Sequence, residues 1–144
     1  MNTVNSFSDI KINSHVVIKD HVCKIVNIKT SKPGKHGSAK KVVTGLDVLT
    51  DDKYVETFKN NSLFPHFSLK TLEFQYLYTK NDGTMVLLDE NGEENVDYTN
   101  SWEFPLQEEQ LINILLVNLG DDDWKYKITP SDKQLIDKKD WHIK

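Results

Sequence analysis

Short runs of β-branched residues, broken by turn residues about every ten positions, dominate this chain and leave little room for helices. "VVIKD" and "HVCKIVNI" read as two strands joined by a tight turn at Asp20-His21. In "KVVTGLDVLT", Val42, Thr44, Leu46 and Val48 share one strand face, and Gly45 is available for a bend or bulge. "DDK" at 51–53 reads as a turn and "YVETF" as the start of another strand. Period-two runs at this spacing predict a small β-barrel, because only closure or near-closure hides so many strand edges.

Near Pro65, in "SLFPHFS", the character changes and a domain boundary is expected at 66–68, giving domains over 1–67 and 68–144. Beyond it Leu72, Phe74, Tyr76 and Tyr78 alternate along one strand face. Asn81-Asp82-Gly83 predicts a hairpin turn, "TMVLLD" the return strand, and Glu90-Asn91-Gly92 a second turn. "LINILLVNL" is apolar on both faces, as a central strand is, and Trp124, Tyr126 and Ile128 alternate in a last strand. The best helical candidate is "PLQEEQLI", with Pro105 at its start and acids in its first turn, although a strand fits there too. Five strands with a small insert predict an OB-type barrel with at most a short helix. The expected fold class is therefore all-β, in two barrels.

Charge divides along the same line. The formal net charge is -4, but residues 1–67 hold 10 Lys against 6 Asp and Glu, while residues 68–144 hold 8 Lys against 16. Every basic residue other than histidine is lysine. A basic module for polyanions joined to an acidic module with another task is the expectation. Cys23 is the single cysteine, which excludes an internal disulfide, and its setting in a strand-like run predicts a buried, inert thiol. "LINILLVNL" is too short to span a membrane, and "MNTVNSFSDIK" lacks the apolar core of a secretory signal. A cytoplasmic protein that does not engage membranes is expected.

Positive charge concentrates in "KTSKPGKHGSAKK", residues 29–41, where five lysines and one histidine occur with no acid. Pro33-Gly34 is the preferred central pair of a type II turn, and Gly37 adds a second flexible point after His36. Lys35 and His36 then occupy the apex of a long hairpin. Lysines 29, 32, 35, 40 and 41 repel one another within about one or two Debye lengths, and phosphates relieve that repulsion. A solvated loop of no consequence explains the charge but needs neither glycine. A nucleotide-binding P-loop fails, because Gly34 and Gly37 are too close together and no helix follows. Presentation of one lysine, to RNA or to a modifying enzyme, accounts for the turn chemistry on both sides of Lys35.

"TSKPGKHGSAK" resembles the modification loop of the hypusine-containing translation initiation factor 5A family of eukaryotes and archaea. The likeness continues through "HVVIKDHVCKIVNIKTSKPGKHGSAKKVVTGLDVLTDDKYVETF" and into "FQYLY" and "DGTMVLLDENGE", covering roughly residues 6–130. It implies an SH3-like barrel followed by an OB-fold. It also implies that Lys35 receives an aminobutyl group from spermidine, added by deoxyhypusine synthase and completed by deoxyhypusine hydroxylase. Lys29, Lys32, Pro33, Gly34, His36, Gly37, Lys40 and Lys41 would shape the loop or face RNA. Pro33 and Ser38 follow the archaeal form of the loop. The implied role is that of a ribosome-bound factor whose modified lysine reaches peptidyl-tRNA near the exit site, promoting peptide-bond formation at stalling sequences and termination. Such a factor is a substrate of enzymes rather than an enzyme, and it needs no cofactor. An RNA-binding module that keeps the loop without the modification is the alternative. Oligomeric state is open, with a homodimer among the options.

Other candidate sites are weaker. "GDDDW" at 120–124 lacks the spacing of a calcium loop and reads as a turn. His15, His21, His36, His66 and His142 show no ligand spacing, so no metal is expected. Tyr76, Tyr78 and Trp102 could stack bases, but the acidic charge around them favours core packing.

Overall fold

A computed structural model describes residues 3–31, 39–100, 106–120 and 122–131. Among the described residues, nine strands and one 3₁₀ turn, Phe7–Asp9, make up the regular structure. The chain divides into two compact units, Met1–Ser68 with Val117–Trp124, and Leu69–Leu116 with Lys125–Lys144. The fold class is the all-β one that the alternation predicts.

The first unit is an antiparallel meander of β1 (His15–Ile18), β2 (His21–Ser31), β3 (Lys40–Asp47) and β4 (Lys53–Lys59), in that order. Its outer strands β1 and β4 approach each other, so the sheet curls around one core. Ile18, Cys23, Ile25, Val43 and Phe58 fill that core together with Val4 and Ile10. Each fully buried side chain of this size contributes about 1.5–3 kcal/mol of transfer free energy. The β1–β2 turn falls at Lys19-Asp20, where both residues have positive φ (50° and 69°), and not at Asp20-His21. That is the primed hairpin turn whose twist matches the strands, so His21 already opens β2.

β3 bears out one part of the sequence reading and corrects another. The shared face of Val42, Thr44 and Leu46 exists, but it is the half-exposed one, and Val43, Gly45 and Asp47 point inward. The reason lies at Gly45: a Cβ there would stand 2.7 Å from the Cys23 Cβ and 2.9 Å from the Ile18 Cδ1. Glycine thus serves close approach of β2. The bulge sits on β2, where the register shifts between Ile25 and Asn27 and leaves Val26 as the extra residue.

In the second unit β5 (Ser68–Thr79), β6 (Met85–Leu88), β7 (Glu94–Asn95), β8 (Leu111–Asn118) and β9 (Lys125–Pro130) are ordered β7-β6-β5-β8-β9. Long β5 is thus shared between a three-strand meander and the final hairpin, the five-strand plan expected of an OB-type fold. Both predicted turns form: Gly83 and Gly92 have φ of 91° and 79°, and each donates its N–H three residues back, to Lys80 and Asp89. Phe74, Tyr76, Met85, Leu87, Ile112, Ile114 and Ile128 build the core. Tyr78 does not join it, because the β5–β6 register shifts between Tyr76 and Tyr78 and turns that ring outward to 55% exposure.

The helical candidate is corrected over its described part, residues 106–112. The chain makes a turn in which Gln110 N–H donates to the Gln107 carbonyl, Glu109 takes φ 69°, and β8 begins at Leu111. Glu109 N–H donates to the Tyr76 carbonyl, and Tyr76 N–H to that of Gln110. Pairing with β5 thus engages the backbone groups that a helix would need. Pro105 lies outside the described residues.

Candidate nucleic-acid interface

β2 and β3 form the two arms of a hairpin whose last observed rung is Ser31 opposite Lys40, preceded by Thr30 opposite Lys41 and Lys29 opposite Val42. The connection between these arms contains Lys32, Pro33, Gly34, Lys35, His36 and Gly37, which lie outside the described residues. What the structure supplies is the support for that segment. β3 is held along its length by β4, from Leu46 opposite Lys53 to Lys40 opposite Lys59. Both arms are therefore paired up to the point where the connection begins.

The far end of the hairpin is fixed by Asp47. Its Oδ1 accepts the Leu49 N–H at 2.7 Å, and its Oδ2 lies 2.8 Å from the His21 Nδ1. His21 in turn stacks on Tyr54 with ring centroids 4.2 Å apart. This side-chain network links β2, β3 and β4, so the turn after β3 is set by a buried carboxylate and not by chance of composition. Cys23 lies beside it, fully buried, with its thiol pushed up to about 12, chiefly by burial and further by the Asp47 charge. The inert buried thiol expected from the sequence is what the core contains.

The described lysines of the 29–41 run are not equivalent. Lys29 is exposed on β2, and Lys40 is half-buried directly across from Lys59. Two like charges facing each other across a strand pair are destabilising unless a counter-charge arrives. Lys41 points to the other side of the sheet, where its Nζ donates to the Phe7 carbonyl at 3.1 Å and lies 4.5 Å from the Phe7 ring centroid. That ammonium fastens the N-terminal 3₁₀ turn to the hairpin. Lys59 is the residue that sequence reasoning missed. Alternation in "KYVETFK" places it on the outer face, but only the register brings it opposite Lys40.

In the second unit the aromatics expected to pack in the core separate. Tyr76 is buried with its hydroxyl 2.6 Å from the Thr79 Oγ1, Tyr78 is exposed, and Trp102 lies outside the described residues. An open groove of about 730 Å³ runs beside β5 and is lined by Glu73, Asp89 and Glu90 as well as Leu72 and Phe74. Its carboxylates oppose a polyanion. Among the described residues no group of three or more His, Cys, Asp or Glu gathers as a metal site, and no helix is long and apolar enough to cross a membrane.

Comparison with known proteins bears on the first unit most directly. Residues 2–62 match the family model described as translation initiation factor 5A-like, N-terminal. The eukaryotic translation initiation factor 5A of Dictyostelium discoideum is 41% identical over 92 residues, covering 62% of this chain and 56% of that protein. The factor 5A-1 of Medicago sativa is 37% identical over 86 residues, covering 58% of this chain and 52% of its own. The chain thus spans about half the length of the curated relatives it matches. Two solved structures share the fold at 24% identity. One is a factor 5A family protein from Naegleria fowleri, with TM-score 0.63 over 86% of this chain and 95% of that one. The other is the factor 5A from Methanococcus jannaschii, with TM-score 0.61 over 87% and 90%.

Proposed function

We propose that the chain is a translation factor of the initiation factor 5A family and that its working part is the β2–β3 hairpin. In this reading the protein binds the ribosome near the exit site and directs Lys35, extended by hypusine modification, toward peptidyl-tRNA. It promotes peptide-bond formation at stalling sequences, and termination.

A longer side chain with two amines can reach phosphate and ribose where plain lysine stops short. Holding a slow substrate in reactive geometry lowers a barrier without acid–base chemistry by the factor itself. Lys29, Lys32 and Lys40 act as point-charge contacts to phosphate around that arm. The protein is a substrate of deoxyhypusine synthase and deoxyhypusine hydroxylase and needs no cofactor of its own.

The observation that carries the reading is the match over residues 2–62, which encloses the whole acid-free lysine run between two arms paired up to Ser31 and Lys40. Intact-protein mass from the native source tests it. An added aminobutyl group, with or without one oxygen, mapped by peptide sequencing to Lys35 is the expected result. An unmodified Lys35 in native material would refute the modification and favour the RNA-binding module that keeps the loop alone.

A further inference from the structure

The register of the first sheet extends positive charge far beyond the hairpin end. Along one side of β2, β3 and β4 the residues fall into cross-strand rows. Ser31, Lys40 and Lys59 form the row nearest the hairpin connection, followed by Lys29, Val42 and Thr57. Asn27, Thr44 and Val55 come next, and Lys24, Leu46 and Lys53 form the far row. This is the solvent side: Lys24, Lys29, Lys53 and Lys59 are exposed, while Tyr54, Glu56 and Phe58 alternate to the other side of β4.

Five lysines therefore share one surface, and none of its residues in these rows is a carboxylate. Glu56 is the single acid within β4, and its Oε1 accepts the Lys19 N–H on the opposite side. Asp51 and Asp52 stand in the turn before Lys53, outside the rows. From the Lys40 row to the Leu46 row the surface runs about 20 Å, and three strands make it about 10 Å wide.

We propose that this outer face of β2–β3–β4 is a phosphate-binding track for RNA, with Lys24, Lys53 and Lys59 continuing the contacts begun at the hairpin. The proposal rests on the translation-factor reading for the identity of the polyanion, and on the register for the surface. Charge complementarity selects the occupant. The lysines stand at both ends and along the flanks of a half-exposed centre of Val42, Thr44 and Leu46, so strands of phosphates can pass over it lengthwise. Lysine without arginine suits point contacts to a backbone, not the bidentate reading of bases. A membrane surface would call for bulky apolar anchors among the lysines. Here the exposed apolar side chain in the rows is the short Val55, with Val42 and Leu46 only half-exposed between the lysines. Facing lysines at 40 and 59 cost stability in the free protein, and bound phosphate removes that cost.

The test is a salt titration of the full chain binding a fluorescently labelled tRNA transcript, between about 50 and 200 mM salt. Lys24→Gln with Lys53→Gln removes the row farthest from the hairpin. The slope of log affinity against log salt is expected to become shallower by about 1.4–1.8, the contribution of two phosphate contacts. Lys24→Arg with Lys53→Arg should restore it, and unchanged thermal melts exclude misfolding. Lys29→Gln with Lys40→Gln reports separately on the hairpin end. A wild-type slope for the far-row variant, with loss in the hairpin variant, would overturn the track and leave the proposed function standing. Absence of salt-dependent tRNA binding by the wild type would remove both. Loss of binding to phosphatidylserine vesicles with an unchanged tRNA slope would assign the face to membranes and likewise refute the proposal.

Discussion

Gly45 and Cys23 show how one position can control the packing of a small barrel. Because a Cβ on Gly45 would press on both Cys23 and Ile18, Gly45→Val inserts three carbons where none fits. Overpacking of this kind costs about 1–3 kcal/mol, so chemical denaturation should show a lower midpoint at an unchanged slope. The thiol beneath it is protonated at neutral pH, because its value rises from 9.0 to about 12. Native protein should therefore resist iodoacetamide at pH 8 and react only when unfolded. The linkage has a definite sign. Between pH 9 and about 12 the unfolded chain releases this proton while the folded one keeps it, so Cys23's contribution is complete below pH 9 and declines above it. A Cys23→Ala variant whose stability falls equally steeply over that window would contradict the assignment.

The strands show which parts of a fold a linear reading can reach. β-branched and alternating runs locate β2, β3 and β4, a run apolar on both faces locates β8, and Gly83 and Gly92 locate their turns, because period and turn chemistry are local properties. Which face of β3 is buried is not local. The more apolar set, Val42, Thr44 and Leu46, lost to the set containing Gly45 because β2 needed the space above that glycine. Equally, acids after a proline suggested a helix at 105–112, but β5 captured the backbone of Glu109 and Gln110. The candidate site divides the same way. Its lysine run is legible in the sequence, whereas Lys24, Lys53 and Lys59 join it only through pairing. Lys41 shows the converse, since its place in the run says nothing of its bond to Phe7. Lys41→Gln should detach the N-terminal 3₁₀ turn and cost about 0.5–1 kcal/mol. It should change the tRNA salt slope less than Lys29→Gln does, which the same titration measures.

Across the whole molecule, charge is uneven along the chain: residues 1–67 are basic and include the hairpin, and residues 68–144 are acidic and include the groove with Glu73, Asp89 and Glu90. A polyanion is drawn to the lysines of the first sheet and repelled by the groove carboxylates before any specific contact forms. Electrostatic attraction alone would require only charge at Lys35, and modification would require a nucleophilic amine. Lys35→Arg separates these demands. It keeps the charge and approximate length, but a guanidinium stays protonated and cannot take up an aminobutyl group, whereas a lysine amine can lose its proton and attack. The variant should fold with wild-type stability, retain tRNA binding with a similar salt slope, and fail to support translation in cells that depend on this protein. Lys32→Arg makes the same exchange three residues earlier and should be tolerated. The readout is translation of a stalling reporter relative to a non-stalling one, in cells carrying either variant as the sole copy. Equal performance of the two would mean that Lys35 contributes charge alone, and the modification reading would fall while the phosphate contacts of the sheet face remained to be judged by their own salt slope.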